Sequence, residues 1–144
     1  MNDSKPKPQS LKFAPFDATK RRKRIVIFKV GKLWIFKHFF DDKETFKALD
    51  HYNKDQYRFE IESIGARNNA LKILEQNGFD YELVEDLTCY VVKLLKFSKY
   101  APILKNSAAT KETATERLFL MKDLAAVEEA VSLDAKIAEE KISF

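Results

Sequence analysis

The chain has 144 residues, of which 45% are hydrophobic and 33% are charged, so a single domain of this length can bury most of its apolar surface. Eighteen aromatic residues argue against wholesale disorder, and only three Gly and four Pro argue against a loop-dominated or fibrous chain. No apolar run reaches the roughly 18 residues of a membrane span, and the first ten residues lack the apolar stretch of a secretory signal. We therefore expect a cytoplasmic protein with no membrane association.

Positive charge is concentrated near the amino terminus. Residues 1–40 hold eleven Lys and Arg against two Asp, whereas residues 41–144 hold fifteen against twenty Asp and Glu. Five of the cations are consecutive, namely Lys20, Arg21, Arg22, Lys23 and Arg24. A segment with this much charge buries too little apolar surface to offset the conformational entropy that it loses on ordering. The pattern predicts a basic, flexible arm over residues 1–23 and a single folded domain over residues 24–144. The alternative is that the arm docks on an acidic face of its own domain.

Two apolar segments on either side of Gly31 predict an amino-terminal β-hairpin. Residues 24–30 (RIVIFKV) and 32–40 (KLWIFKHFF) are rich in the β-branched and aromatic residues that strands favour. Successive side chains of a strand point to opposite faces, so both faces of this hairpin are apolar. In the first strand Val26, Phe28 and Val30 point one way and Ile25 and Ile27 the other. In the second strand Leu33 and Ile35 point away from Trp34 and Phe36.

The next segments predict a helix and then a β-α-β unit. Asp41 and Asp42 supply an N-cap for a helix that we expect to reach about residue 53. The β-α-β unit comprises a strand over 57–62, a helix over 64–77 that Gly78 ends, and a strand over 79–85. If both strands lie in one sheet, the helical connection makes them parallel.

The carboxy-terminal third predicts shorter elements. Residues 89–95 (CYVVKLL) fit either a strand or a helical face, and we favour a strand followed by a helix over 98–106 that Ser98 caps. Residues 106–115 are a polar connector, residues 117–121 form a strand, and Asp123 caps a terminal helix that extends to Ile137. The fold class is α/β, with α+β as the alternative, and we expect one mixed sheet of about five or six strands covered by helices.

Cations beside aromatic residues make nucleic acid the leading candidate partner. Phosphates attract Lys and Arg by releasing counterions, and bases stack on aromatic rings. We expect a non-enzymatic module that binds RNA more than a specific DNA sequence, because no recognition-helix motif or zinc finger is present. The candidate contacts are Lys20, Arg21, Arg22, Lys23, Arg24, Lys29, Trp34 and Lys37.

The start of the helix over 64–77 is a candidate anion site. Ser63 precedes the helix and Gly65 lies in its first turn, where unpaired N–H groups favour an anion, and Arg67 is positioned to clamp a phosphate. The segment lacks the further glycines of a dinucleotide loop and the Lys-Ser/Thr pair of a P-loop. Ordinary capping by Ser63 is therefore the preferred interpretation.

Two alternatives to nucleic-acid binding remain open. One is a protein-interaction subunit, for example a homodimer formed through the aromatic hairpin. The other is a metal-dependent enzyme that uses the carboxylates of the alternating strands, namely Glu60, Glu62, Asp80 and Glu82. His38, His51 and Cys89 fall on three separate predicted elements, and Cys89 lies in an apolar run that favours an inert, buried thiol. The sequence therefore indicates no catalytic residues, metal site or cofactor.

Overall fold

The computed structural model describes residues 23–144, which form two β-sheets and four helices. The strands are β1 (Lys23–Val30), β2 (Leu33–Phe36), β3 (Tyr52–Asn53), β4 (Arg58–Ile61), β5 (Phe79–Val84), β6 (Val91–Leu95), β7 (Ser107–Glu112), β8 (Glu116–Met121) and β9 (Lys136–Ile137). The helices are α1 (Lys43–Leu49), α2 (Ile64–Gln76), α3 (Ala101–Lys105) and α4 (Leu124–Ser132). The expected α/β class with a mixed sheet is confirmed.

The first sheet has the strand order β3-β4-β2-β1-β5. β1 and β2 form the expected antiparallel hairpin, and Gly31 occupies the turn with a φ of 60°, where a side chain would be strained. β2 pairs antiparallel with β4, whereas β1 pairs parallel with β5, so β4 and β5 run in the same direction. The parallel β-α-β crossover is therefore confirmed, and α2 carries the chain past β2 and β1 to the far edge.

Both faces of the hairpin are buried, as its two-sided apolar pattern predicts. Ile27 and Phe36 lie on the face that α1 and α2 cover, and neither is exposed. Phe28 and Ile35 lie on the opposite face, where they pack with residues of the second sheet, and they too are fully buried. Each such side chain contributes about 1.5–3 kcal/mol of burial free energy, which makes the hairpin the centre of the fold.

The second sheet is antiparallel, with the strand order β7-β8-β6-β9. The strands predicted over 89–95 and 117–121 are confirmed as β6 and β8. The polar connector predicted over 106–115 is wrong, because residues 107–112 form β7. Its first residues are buried against the first sheet, and the short side chains of Ala108 and Ala109 suit that close approach. The carboxy-terminal strands thus form a sheet of their own.

Three helix boundaries differ from expectation. α1 ends at Leu49 because Asp50 and His51 both have positive φ angles, of 56° and 64°, which break the helical hydrogen-bond pattern and lead into β3. α3 begins at Ala101 because Ser98 closes a turn by donating its N–H to the carbonyl of Leu95. α4 ends at Ser132, so Ile137 lies in β9 instead of the terminal helix.

A half-buried polar bridge joins the two sheets. Arg58 Nη1 donates to the carbonyl of Ala108 at 2.8 Å, and Arg58 Nε donates to Glu60 Oε2 at 2.7 Å. Asn53 Nδ2 donates to the second carboxylate oxygen of Glu60 at 3.1 Å. The pairing of β7 with β8 shifts register between Ser107 and Ala109, so Ala108 lies in a bulge. The hydrogen bond from Arg58 satisfies the carbonyl of Ala108 at this bulge. We call these groups the Arg58 bridge.

Candidate nucleic-acid interface

The basic arm is described only at its last residues. Lys20, Arg21 and Arg22 lie outside the described part of the chain, and their role stays a prediction. Lys23 and Arg24 open β1 with exposed side chains, which pair with Asp41 at 4.0 Å and with Glu82 at 3.7 Å. Exposed ion pairs at these distances contribute only about 0–1 kcal/mol, so a polyanion can displace them.

Trp34 cannot serve as the predicted stacking residue in this conformation. Its side chain is 6% exposed and belongs to the core between the first sheet and its helices. Two cations cover the ring: Lys29 Nζ lies 5.4 Å from the ring centroid and the Arg67 guanidinium carbon lies 4.8 Å from it. Residues of two predicted sites, Lys29 of the hairpin and Arg67 of α2, therefore pack on the buried Trp34 ring.

The start of α2 has the geometry of an ordinary helix cap. Ser63 Oγ accepts the Ala66 N–H at 3.1 Å, which confirms the preferred interpretation. The Arg67 side chain donates to Asn68 Oδ1 and lies over Trp34, so it is not aimed at the helix end. Apart from its chain neighbours and the backbone of its own helix, no atom of residues 23–144 lies within 4 Å of where a Cβ on Gly65 would stand, so the glycine is not needed for a close contact there. The predicted anion site gains no support from this geometry.

Lys37 lies at the other end of β2, in the seam between the two sheets. Its half-buried Nζ donates to the carbonyl of Ser107 at 3.1 Å. Burial, and then the positive charge of Lys122, lowers the pKa of Lys37. Lys122 directly follows β8 and was not among the predicted residues, because only the folded chain brings it beside the hairpin.

An exposed aromatic ring accompanies these cations. Phe39 is 54% exposed, and Lys122 Nζ lies 5.4 Å from the centroid of its ring. Sequence reasoning placed Phe39 in a strand, but β2 ends at Phe36 and leaves the ring on an extended segment at the surface. We call Lys23, Lys37, Phe39 and Lys122 the Lys37 cluster.

The pKa of His38 responds to the positive charges of the Lys37 cluster. Its half-buried ring packs edge-on against Phe40 and Phe79, with centroid separations of 4.6 and 5.2 Å. Burial lowers the pKa of His38, and the charges of Lys122 and Lys23 lower it further. The carboxylates of Asp41 and Asp123 act in the opposite direction and do not cancel this effect. These effects favour the neutral imidazole of His38, so the lysines carry the positive charge of the cluster.

The aromatic hairpin does not form an interface of the kind expected for a homodimer. Trp34, Ile35 and Phe36 are each at most 6% exposed, because helices cover one face of the hairpin and the second sheet covers the other. Of the predicted hairpin segments, Phe39 keeps an exposed ring, so the homodimer alternative stays a prediction that does not involve Trp34 or Phe36.

The carboxylates considered for metal chemistry do not converge. β2 and β1 separate β4 from β5, which places Glu60 and Glu82 about 14 Å apart across the sheet. Within residues 23–144 no three His, Cys, Asp or Glu side chains lie close enough together to hold a metal ion. The expectation of a buried thiol is also wrong, since Cys89 is exposed in a turn with a φ of 81°.

Comparison with known proteins gives no assignment: no family model, curated protein or solved structure matches the chain. In residues 23–144, every helix is too short or too polar to cross a bilayer.

Proposed function

We propose that this chain is a non-enzymatic, cytoplasmic module that binds single-stranded RNA through the Lys37 cluster and the adjoining basic arm. The observation that carries the proposal is the exposed Phe39 ring beside the Lys122 ammonium group. In the same region burial, and then the charge of Lys122, lowers the pKa of both Lys37 and His38. Lys20, Arg21, Arg22 and Arg24 supply further phosphate contacts in this proposal.

The electrostatics favour a polyanionic partner. Lys122 repels the charge of Lys37, and an approaching phosphate relieves this repulsion while releasing its own counterions. Of the two nearby carboxylates, Asp123 is engaged as the N-cap of α4, where it accepts the Ala126 N–H at 2.8 Å. Within residues 23–144, Asp41 makes an exposed pair with Lys23, which a phosphate group can replace.

The exposed ring favours a single strand over a duplex. A base stacks on an aromatic face only when it is free of its own neighbours, and such stacking contributes about 1–3 kcal/mol per base. None of the described helices carries a row of basic side chains of the kind that recognition helices insert into the major groove of DNA. Phe39 therefore takes the stacking role that the sequence assigned to Trp34.

Fluorescence anisotropy with a labelled oligouridine of about 12 nucleotides tests the proposal. We expect Phe39→Ala to weaken binding about 5-fold to 100-fold, as the loss of one stacked base implies. We expect Lys122→Gln to weaken binding and to reduce the slope of log affinity against log salt by about one.

Phe97→Ala and Lys99→Gln are matched controls. Phe97 is 99% exposed and Lys99 is exposed, but they follow β6 at the end of the second sheet opposite Lys122. We expect both variants to bind as the unaltered protein does. Equal effects of Phe39→Ala and Phe97→Ala, or no binding by the unaltered protein at about 50 mM salt, would refute the proposal.

A further inference from the structure

A cavity of about 220 Å³ opens beside Lys37 at the seam between the two sheets. The turn between β3 and β4 forms one wall with Asp55, Gln56 and Tyr57. The opposite wall comes from Leu104 of α3 and the first residues of β7. The volume is below that of most drug-sized ligand sites, so the cavity suits a small group better than a whole cofactor.

The Lys37 amine is held at this cavity in a defined orientation. Its donor bond to the Ser107 carbonyl uses one N–H, so when the amine loses a proton its lone pair is directed elsewhere. The surrounding groups disfavour the ammonium form, since half-burial removes water from the charge and Lys122 repels it. Within residues 23–144, other ionisable groups nearby are Asp55 and Tyr57, which line the cavity, and His38, which follows Lys37 in the chain. The guanidinium of Arg58 is also close, because it donates to the carbonyl of the lining residue Ala108.

We propose that Lys37 is a covalent acylation site, at which the ε-amine accepts a short acyl group from a small activated acyl donor of the thioester class. In this step the amine lone pair attacks the thioester carbonyl carbon, an N–C bond forms and the C–S bond breaks. The sulfur leaves with the bonding electron pair as a thiolate, and the amine releases one proton to solvent. No oxidant or reductant takes part.

The structure accommodates the acylated side chain. The amide formed keeps one N–H, which continues to donate to the Ser107 carbonyl. The acyl group occupies the cavity, and loss of the Lys37 charge removes its repulsion with Lys122. Acylation therefore leaves the fold intact. The proposal does not depend on RNA binding, because the reaction is measured on the protein alone.

The test is the rate of acetylation of individual lysines as a function of pH. The probe is S-acetyl-N-acetylcysteamine, and peptide mass spectrometry follows Lys37 and the exposed Lys99 in the same sample from about pH 7 to pH 10.5. We expect Lys37 to react about threefold or more faster than Lys99 near pH 8, and its rate to reach a plateau at a lower pH. In denaturant the two profiles should coincide, because the local environment is then lost.

The Lys122→Gln variant supplies the second measurement. Removing the like charge should move the Lys37 profile to higher pH and leave the Lys99 profile in place. If this variant does not fold, Lys122→Met gives the same comparison with a different neutral side chain, and the native and denatured profiles of the unaltered protein give an independent one. Native Lys37 and Lys99 profiles that coincide, or a Lys37 profile that ignores the loss of Lys122, would overturn the proposal.

Discussion

The Arg58 bridge gives the most specific stability prediction, because the Arg58 side chain makes hydrogen bonds to residues of both sheets. Arg58→Met keeps an unbranched side chain similar to the aliphatic part of arginine but removes the guanidinium group that binds the Ala108 carbonyl and Glu60. The side chains of Arg58 and Glu60 are only 15% and 20% exposed, so water replaces the lost contacts poorly. An orphaned carbonyl costs about 1–3 kcal/mol, and an unpaired, half-buried carboxylate adds to it.

We therefore expect Arg58→Met to lower the free energy of unfolding by about 2–4 kcal/mol, out of a total of about 5–15 kcal/mol for a domain of this size. Urea titration followed by tryptophan fluorescence measures the loss. Arg24→Met is the matched control, because its pair with Glu82 is long and exposed, and we expect a cost of at most about 1 kcal/mol. A loss below about 0.5 kcal/mol for Arg58→Met, or equal losses in the two variants, would refute the reasoning.

The same bridge makes stability depend on pH. Burial alone raises the pKa of Glu60, but hydrogen bonds from Asn53 and Arg58 together with the Arg58 charge outweigh it and leave that pKa lowered from its ordinary value of 4.5. A lowered folded-state pKa means that the stabilisation is complete above 4.5 and is lost as the pH falls through the folded-state value. Urea midpoints between about pH 6 and pH 3 should fall less steeply in Arg58→Met than in the unaltered protein. Parallel curves would contradict this account.

Three further predictions concern single residues. Trp34 is the single tryptophan and is buried, so its fluorescence emission should be blue-shifted and should resist acrylamide quenching. The emission should also stay unchanged when oligouridine binds, and strong quenching by the oligonucleotide would contradict the burial of Trp34. Cys89 is exposed, so its thiol should react with a disulfide reagent in the native protein, and a protected thiol would count against this. Because Cys89 has a positive φ, Cys89→Gly should raise the free energy of unfolding by about 1 kcal/mol, and a lower free energy would contradict this. Ser63→Ala removes the acceptor for the Ala66 N–H and should cost about 1 kcal/mol, whereas Ser63→Asp should not, and equal stability of the two variants would show that the cap is unimportant.

Local patterns were sufficient to predict the first half of the fold. The hairpin follows from its β-branched and aromatic residues on either side of Gly31. The β-α-β unit follows from the period-two alternation of its strands and from Gly78, which ends α2 with a φ of 89°. β7 could not be predicted in this way, because its buried residues are Ser107, Ala108 and Ala109, whose small side chains carry little hydrophobic signal. They are buried because the first sheet covers them, which is a fact of tertiary structure.

The candidate site shows the same division. Sequence reasoning included Lys23 and Lys37 among the cations, but it chose Trp34 as the stacking ring. The local sequence of a hairpin does not show whether a helix covers its tryptophan, and here the structure buries Trp34. Phe39 was assigned to a continuing strand, and its exposure depends on the early end of β2. Lys122 joins the Lys37 cluster only through the pairing of β8 within the second sheet, a long-range contact that no local pattern encodes.

The position of β1 has a consequence for synthesis on the ribosome. β1 is the first element of the described chain, yet it lies inside the first sheet between β2 and β5. Its hairpin partner emerges immediately, but the N–H and C=O groups on its other flank have no β5 to bond until Val84 has left the exit tunnel. A nascent chain halted before Phe79 therefore presents an open and strongly apolar strand, which invites pairing with other chains. Such fragments should require a chaperone to remain dispersed, whereas chains released beyond Val84 can close the sheet by themselves.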